Sequence, residues 1–403
     1  MTANNKPDMP LKGLRVLEMG QLLAGPFTAS ILAGFGAEVI KIEKTETGDP
    51  LRVWRKLHKG QSLWWLTMGR NKKSVTLDLT RPEGQAIAKQ LAAKADIVLE
   101  NFKPGTMEKW GLGYEDLKAI NPGVIMVRVS GWGQTGPYSS RPGYANVAEA
   151  VGGMRYTSGY PDRPPVRTGT SLGDTLAAMH AVIGALMAVY HRDVNKGTGQ
   201  VIDVAIYESV FNMMESTLAE YDKLGYVRER SGAKLEGIVP TSTYPTKDGK
   251  FIIIGGNGDS IYKRLMHTAG RPDLAEDPRL AHNNGRVEHE PMIDKAIEDW
   301  TLQHDYEWLY DILVEAQVPC GPVYSIADIV EDPQYQAREV WETVELEPGD
   351  TVKIPSLLPK LSATPGRTLW TGPKLGAHNE EIYCGMLGMS KEELAALQEQ
   401  GII

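Results

Sequence analysis

Two periodicities alternate along the first half of the chain. Short apolar runs at 14–19 (LRVLEM), 37–43 (AEVIKIE), 74–79, 96–100 (DIVLE) and 124–130 (VIMVRVS) have the length and β-branched content of strands. Helical patterns lie between them. One covers 26–35, with Pro26 in its first turn; another covers 81–94, where Ile87, Ala88 and Leu91 share a face. Strands separated by helices of this length predict βαβ units and a parallel sheet. The longest apolar stretch, 176–190, is too short to span a bilayer and reads as a buried core helix. A strand at 200–206 then leads into a helix at 207–221.

The texture changes near residue 225, where the chain becomes polar and rich in turns. A strand at 251–254 follows, then GGNGD, then helical patterns to about 314. This shift places a smaller α+β domain at 225–325, after a first large segment, 1–224. Residues 326–403, punctuated by Pro355, Pro359, Pro365 and Pro373, read as a return segment completing the large domain, with a last helix near 391–400.

Length and composition fit an ordinary soluble globular protein: 403 residues, 42% hydrophobic and 23% charged. A net charge of −8 argues against general nucleic-acid binding. Cys320 and Cys384 form no disulfide framework or zinc spacing, which suits a reducing cytoplasm, the expected location. The first ten residues lack an apolar core, so no secretory signal and no membrane partner are expected. The histidines show no metal-ligand spacing, and no metal is expected.

Four features carry candidate chemistry. Asp174, in GTSLGDTLAAMH, stands at the expected N-cap of the long apolar helix. Unpaired backbone N–H groups and the helix dipole favour its ionised form there, and an ionised carboxylate is a nucleophile as well as a cap. Gly131-Trp132-Gly133-Gln134-Thr135-Gly136 matches G-x-G-x-x-G, but Pro137 to Pro142 follow as a loop where a dinucleotide site needs a helix. Ser171 sits in a G-x-S-x-G match with His378 downstream, yet two prolines replace the strand that a nucleophile elbow requires. On the same helix as Asp174, and counted with it, His180 reads as a core residue or a neighbour of the site.

The fourth feature is charge. Residues 41–73 hold nine cations (Lys41, Lys44, Arg52, Arg55, Lys56, Lys59, Arg70, Lys72 and Lys73) against three acids, interleaved with Trp54, Trp64 and Trp65. Such a focus of charge in an acidic chain suits a phosphorylated ligand carrying a base to stack.

At this point the motifs converge. VLEMGQLLAGPF, GAEVIKIEKTETGDPLR, NKKSVTLDL, VLENFKPGTMEKWG, SGWGQTGPY, GDTLAAMH, DGKFIIIGGNG, VPCGPV and LGAHNE occur in order over nearly the whole chain. The sequence thereby resembles the class III CoA-transferases. The resemblance implies a Rossmann-like large domain, a smaller domain and an interlaced, ring-like homodimer. It implies CoA transfer from an acyl-CoA, with succinyl-CoA a suitable donor, to a small carboxylic or dicarboxylic acid. Asp174 is then the nucleophile, passing through an aspartyl anhydride and an aspartyl-CoA thioester. Coenzyme A enters as a thioester substrate, with no permanently bound cofactor.

The resemblance assigns CoA contacts to Lys44, to Leu77, Asp78, Leu79 and Thr80, to Asn101, Phe102 and Lys103, to Lys109 and to Tyr144. It assigns Gly255, Gly256 and Gly258 to a glycine loop that shields the anhydride from water. Arg167 or Lys234 is a candidate cation for a second substrate carboxylate. The related α-methylacyl-CoA racemases use a proton-shuttling His, whereas Gly143-Tyr144-Ala145-Asn146 here supplies neither His nor Asp, which favours transfer over racemisation. Racemase and Ser171 hydrolase chemistry stay as the other readings.

Overall fold

The structure is a computed structural model and describes residues 8–403. Most of the polar opening read as lacking a secretory signal therefore lies outside the described residues. The described chain divides into two compact units: residues 8–154, 168–222 and 339–403 form the first, and residues 155–167 and 223–338 form the second. The segment 225–325 lies within the second unit, which also takes in 155–167 and 326–338.

The first unit is built on six strands: β1 (Arg15–Glu18), β2 (Glu38–Glu43), β3 (Lys72–Thr76), β4 (Ile97–Glu100), β5 (Ile125–Ser130) and β6 (Val201–Ala205). Every pairing is parallel, in the order β3-β2-β1-β4-β5-β6. This is the doubly wound order, whose switch point falls between β1 and β4. Alternation along each strand feeds two cores. Leu17, Ile40, Val75 and Val98 face one side with Ile87, Leu91 and Leu394. Val16, Val39, Ile97 and Leu99 face the other, under the helices α1 (Ala24–Gly34) and α2 (Leu172–Asp193).

Three sequence expectations are corrected. The strand placed at 74–79 begins at Lys72, because Lys72 is neutralised by a buried carboxylate and so can enter a buried strand. The helix placed at 207–221 stops at Phe211 and resumes at Thr217, with Glu215 in left-handed geometry (φ 52) between the two pieces. The helix read as wholly buried is buried on one side only. Helix α2 has 22 residues, and its Ala177, Ala181, Ala185 and Ala188 pack on the core shared with α1. Met179, Ile183, Leu186, Met187 and Tyr190 lie exposed on the opposite side. It is long and apolar enough to cross a membrane, but its alanine stripe is spent inside the unit.

The return segment closes the β3 edge through side chains rather than a further strand. Asn379 pairs both ways with Thr76, the Tyr383 hydroxyl donates to the Thr76 carbonyl, and Asn71 holds the backbone at 367–370. In the second unit, β7 (Thr241–Pro245), β8 (Phe251–Gly255) and β9 (Cys320–Pro322) form an antiparallel sheet. Helices at Asp259–Thr268, Glu290–Thr301 and Tyr306–Glu315 complete its core around Ile252, Ile254, Leu265 and Leu309.

Candidate active site

Asp174 is not an N-cap. Helix α2 starts at Leu172 with Ser171 at the cap, so Asp174 lies in the first turn. The sequence misleads here because Gly173 looks like a turn glycine. It is helical, and its missing side chain is demanded by packing: a Cβ there comes within 3.2–3.3 Å of Glu149, Ala145 and Ile206. Glu149 also accepts from the Gly173 N–H at 3.2 Å, doing part of the capping. A first-turn carboxylate still faces the positive end of the helix dipole, so the electrostatic argument survives the change of position.

Asp174 is half-buried and lines a cavity of about 310 Å³ in the first unit. Thr170, Ser171 and Thr175 line it from the same helix start. Leu23, Phe27, Trp64 and Met68 form the apolar wall, and Arg55 is the one cation among its lining residues.

The wall is held by a buried ion cluster. Glu18, at the end of β1, bridges Lys41 (2.7 Å) and Lys72 (2.8 Å), and Lys41 also meets Asp49 at 2.9 Å. All four are buried, with two charges of each sign, the condition under which buried charges persist. The same groups grip the loop into α1. Lys41 donates to the Gly20 carbonyl, Lys72 donates to the Pro26 carbonyl, and Asp49 accepts from the Leu22 N–H. Burial alone pushes both lysines toward the neutral form. Glu18, Asp49 and Glu43 outweigh it at Lys41, which is raised. At Lys72 burial, with the repulsion of Lys41, prevails over Glu18 and leaves it at about 8.

Asn101 completes this grip. Its side chain accepts from the Gln21 N–H and donates to the Gln21 carbonyl, both at 2.8 Å. A Cβ at Gly20 lands 2.7 Å from the Asn101 side-chain oxygen, so the buckle requires glycine. Asn101 therefore ties the ends of β1 and β4 together across the switch point, where ligands of such sheets bind.

The other expected CoA contacts sort as follows. The Leu77 N–H donates to the Glu43 carbonyl, which sets Lys44 beside the Leu77–Thr80 turn at the carboxyl ends of β2 and β3. Leu77 and Leu79 are buried. Asp78 is held below its usual range, first by the Thr80 hydroxyl and with help from the Arg81 and Lys44 charges. Phe102 packs edge-on against Trp110, and its N–H donates to Glu100. Lys103 and Lys109 are exposed on the following turn, which Arg128 anchors through Glu100 and Glu108. Tyr144 is 71% exposed at the start of the Ala145–Val151 helix, which packs on the first turn of α2.

Gly255, Gly256 and Gly258 lie in the second unit at the end of β8. The Gly255 and Gly256 N–H groups donate to the Pro319 and Pro240 carbonyls. The fully buried Arg286 donates to the Asn257 carbonyl at 2.6 Å and to Asp259 at 2.9 Å. The base of the loop is thus fixed. Lys234, also in this unit, is committed to Asp294 and Glu290. Arg167 lies on the 155–167 segment of the same unit.

The rejected motifs are explained locally. The 131–136 loop is followed by turns, not a helix, and its backbone is pinned by Ser130 and Asp203. Ser171 is preceded by irregular chain, and the His378 ring accepts from the Ser74 N–H at the β3 edge. His180 bonds the Leu176 carbonyl and Asn212, a structural role. Among the described residues no cluster of His, Cys, Asp or Glu is placed to hold a metal.

Arg55, Trp64, Leu23 and Phe27 were not singled out by sequence. Arg55 and Trp64 stood in the basic, tryptophan-rich stretch, but nothing local said which of its nine cations faced Asp174.

A doubly wound parallel sheet with a half-buried carboxylate at a small cavity defines an α/β enzyme site. The chain belongs to CoA-transferase family III, whose family model matches residues 11–379, and it is a CoA-transferase. It is 48% identical, over the full length of both chains, to the succinyl-CoA–D-citramalate CoA-transferase of Chloroflexus aurantiacus. It is 41% identical to the alpha subunit of the Chloroflexus aurantiacus succinyl-CoA–L-malate CoA-transferase, covering 98% of this chain and 93% of that one. Among solved structures, a CAIB/BAIF family protein from Brucella suis superposes with a TM-score of 0.82 at 32% identity, covering 94% of this chain and all of that one.

Proposed function

We propose that this enzyme moves CoA from succinyl-CoA to a small dicarboxylic acid, with Asp174 as the nucleophile. The observation that carries the reading is Asp174 itself: a carboxylate in the first turn of α2, half-buried at a cavity of about 310 Å³. The relatives that transfer CoA from succinyl-CoA to citramalate and malate support the substrate class.

Asp174 attacks the thioester carbonyl; the C–S bond breaks and the CoA thiolate leaves an aspartyl–acyl anhydride. The thiolate attacks the aspartyl carbonyl, releasing the donor's carboxylate and leaving an aspartyl-CoA thioester. The acceptor carboxylate displaces the thiolate to form a second anhydride, and the thiolate then attacks the acceptor's acyl carbon, freeing Asp174. Charge is conserved at each step and no proton moves, so no acid–base residue is required. Lys44, Lys103 and Lys109 are suited to the nucleotide end and its phosphates, the backbone of Leu77, Asp78, Leu79 and Thr80 to the adenine, Asn101 and Phe102 to shaping the crevice, and Tyr144 to the pantetheine path. The loop of Gly255, Gly256 and Gly258 is assigned to shielding the anhydride.

The chain is also assigned to an interlaced homodimer. The exposed apolar side of α2, with Met187 67% and Tyr190 59% exposed, is the kind of patch that a partner covers.

The deciding experiment is CoA transfer by wild type, Asp174→Ala and Ser171→Ala, with mass spectrometry of enzyme quenched in succinyl-CoA. A CoA adduct on the Asp174 peptide, and loss of transfer in Asp174→Ala alone, is expected. Transfer surviving in Asp174→Ala, or an adduct on another residue, refutes the mechanism.

A further inference from the structure

We propose that Arg55 selects dicarboxylic substrates by binding the carboxylate remote from the reacting end, an inference that rests on Asp174 being the nucleophile. Both residues line the same cavity, and Arg55 is its one cationic lining residue. The wall around it is apolar, with Leu23, Phe27, Trp64 and Met68. A cavity of about 310 Å³ stands at the small end of ligand sites and suits a short carbon chain.

Arg55 is built to be held and yet available. Its guanidinium lies 4.3 Å from the centre of the Trp64 ring. Stacking of this kind orients the planar fork and leaves its N–H edge for a carboxylate. Among the described residues it pairs with no acid. The backbone beside it is fixed: the Trp54 carbonyl accepts from the Ser62 hydroxyl (2.9 Å) and the Lys56 carbonyl from the Leu63 N–H (3.1 Å). Between these ties Arg55 takes a left-handed conformation, φ 61, which is uncommon for a residue with a side chain.

The charge balance explains why such a residue is needed. The ionised aspartate attacks a succinyl thioester whose free end carries a carboxylate. That remote carboxylate is repelled by the aspartate and sits against an apolar wall unless a cation offsets both costs. Because donor acid and acceptor acid occupy the acyl position in turn, one arginine serves both halves of the exchange.

The test is isotope exchange of labelled succinate into succinyl-CoA and of labelled butyrate into butyryl-CoA, pairs differing by a carboxylate in place of a methyl. Arg55→Met is expected to raise the KM for succinate about 20-fold, the scale of a lost charge-assisted pair, and Arg55→Lys to recover part of that loss. The succinate-to-butyrate ratio of kcat/KM falls by a similar factor. A succinate KM raised by less than about fivefold, or a ratio held because both acids fall alike, overturns the proposal. Asp174→Ala is run alongside: exchange persisting there refutes the nucleophile, whereas its loss together with an unmoved Arg55→Met ratio refutes the role of Arg55 alone.

Discussion

Two arginine–tryptophan pairs stand three residues apart and do opposite things. Arg52 lies 4.0 Å from the centre of the Trp65 ring and makes two 2.7 Å bonds to Glu43, with a third N–H on the Pro373 carbonyl. Arg55 stacks on Trp64 in the same manner, but among the described residues its fork meets no acid. One arginine is finished by the protein, and the other awaits a carboxylate from outside. The same division separates other cations of the basic stretch. Lys41 and Lys72 are sealed under the β1–α1 loop and Lys73 is paired to Glu38 and Glu381, while Lys44 and Arg55 remain exposed at the ligand side. An excess of local positive charge therefore includes cations that the protein itself pairs and cations left exposed, and the ligand roles we propose fall on the second.

The contrast can be broken most severely at the buried end. Lys41→Met leaves Glu18 and Asp49 short of a partner in a buried site and is expected to cost about 3–5 kcal/mol, measured by urea unfolding. A loss under about 1 kcal/mol means the cluster is not closed as described. Arg52→Gln is expected to cost about 2–3 kcal/mol, because Glu43 stays buried with the Asp49 N–H, Ser74 and the Lys41 charge as its remaining support. Arg55→Met, by contrast, should change stability by less than about 0.5 kcal/mol.

Acid titration sharpens the same point. Burial works to raise Glu43, but Arg52, Lys41 and Ser74 together hold it below 4.5. Its folded form thus binds fewer protons than the unfolded chain. That stability is complete above the ordinary glutamate value and is lost as pH falls through the lowered one. Arg52→Gln should flatten the drop in unfolding free energy below about pH 4.5, whereas Arg55→Met should leave its slope as in wild type. The smallest effect belongs to the exposed end: Lys44→Ala is expected to raise the KM for acyl-CoA about threefold, less in high salt.

These details show where sequence reading succeeds and where it stops. The parallel sheet was legible because short apolar runs alternating with helical patterns are local signals. The start of β3 was missed because Lys72 is tolerable in a strand only through Glu18, which lies far away in sequence. Asp174 was legible as a helix-start carboxylate, but its exact place turned on Glu149 and Ala145 crowding Gly173, a contact no spacing reveals. The prolines and glycine of 155–167 mark a turn-rich segment but do not say which unit it joins. Arg55 and Arg52 are indistinguishable as letters, since the difference lies in which way each side chain meets an acid.

The closure of β3 by residues 366–383 has a consequence for how the protein is made. During synthesis the β3 edge emerges about 300 residues before Asn379, Tyr383, Leu394, Ile402 and Ile403, which cover that edge or complete the core on its side. Until those residues emerge the nascent large unit exposes an open strand edge and an unfinished apolar face. That interval is when chaperone capture and misassociation compete with its folding.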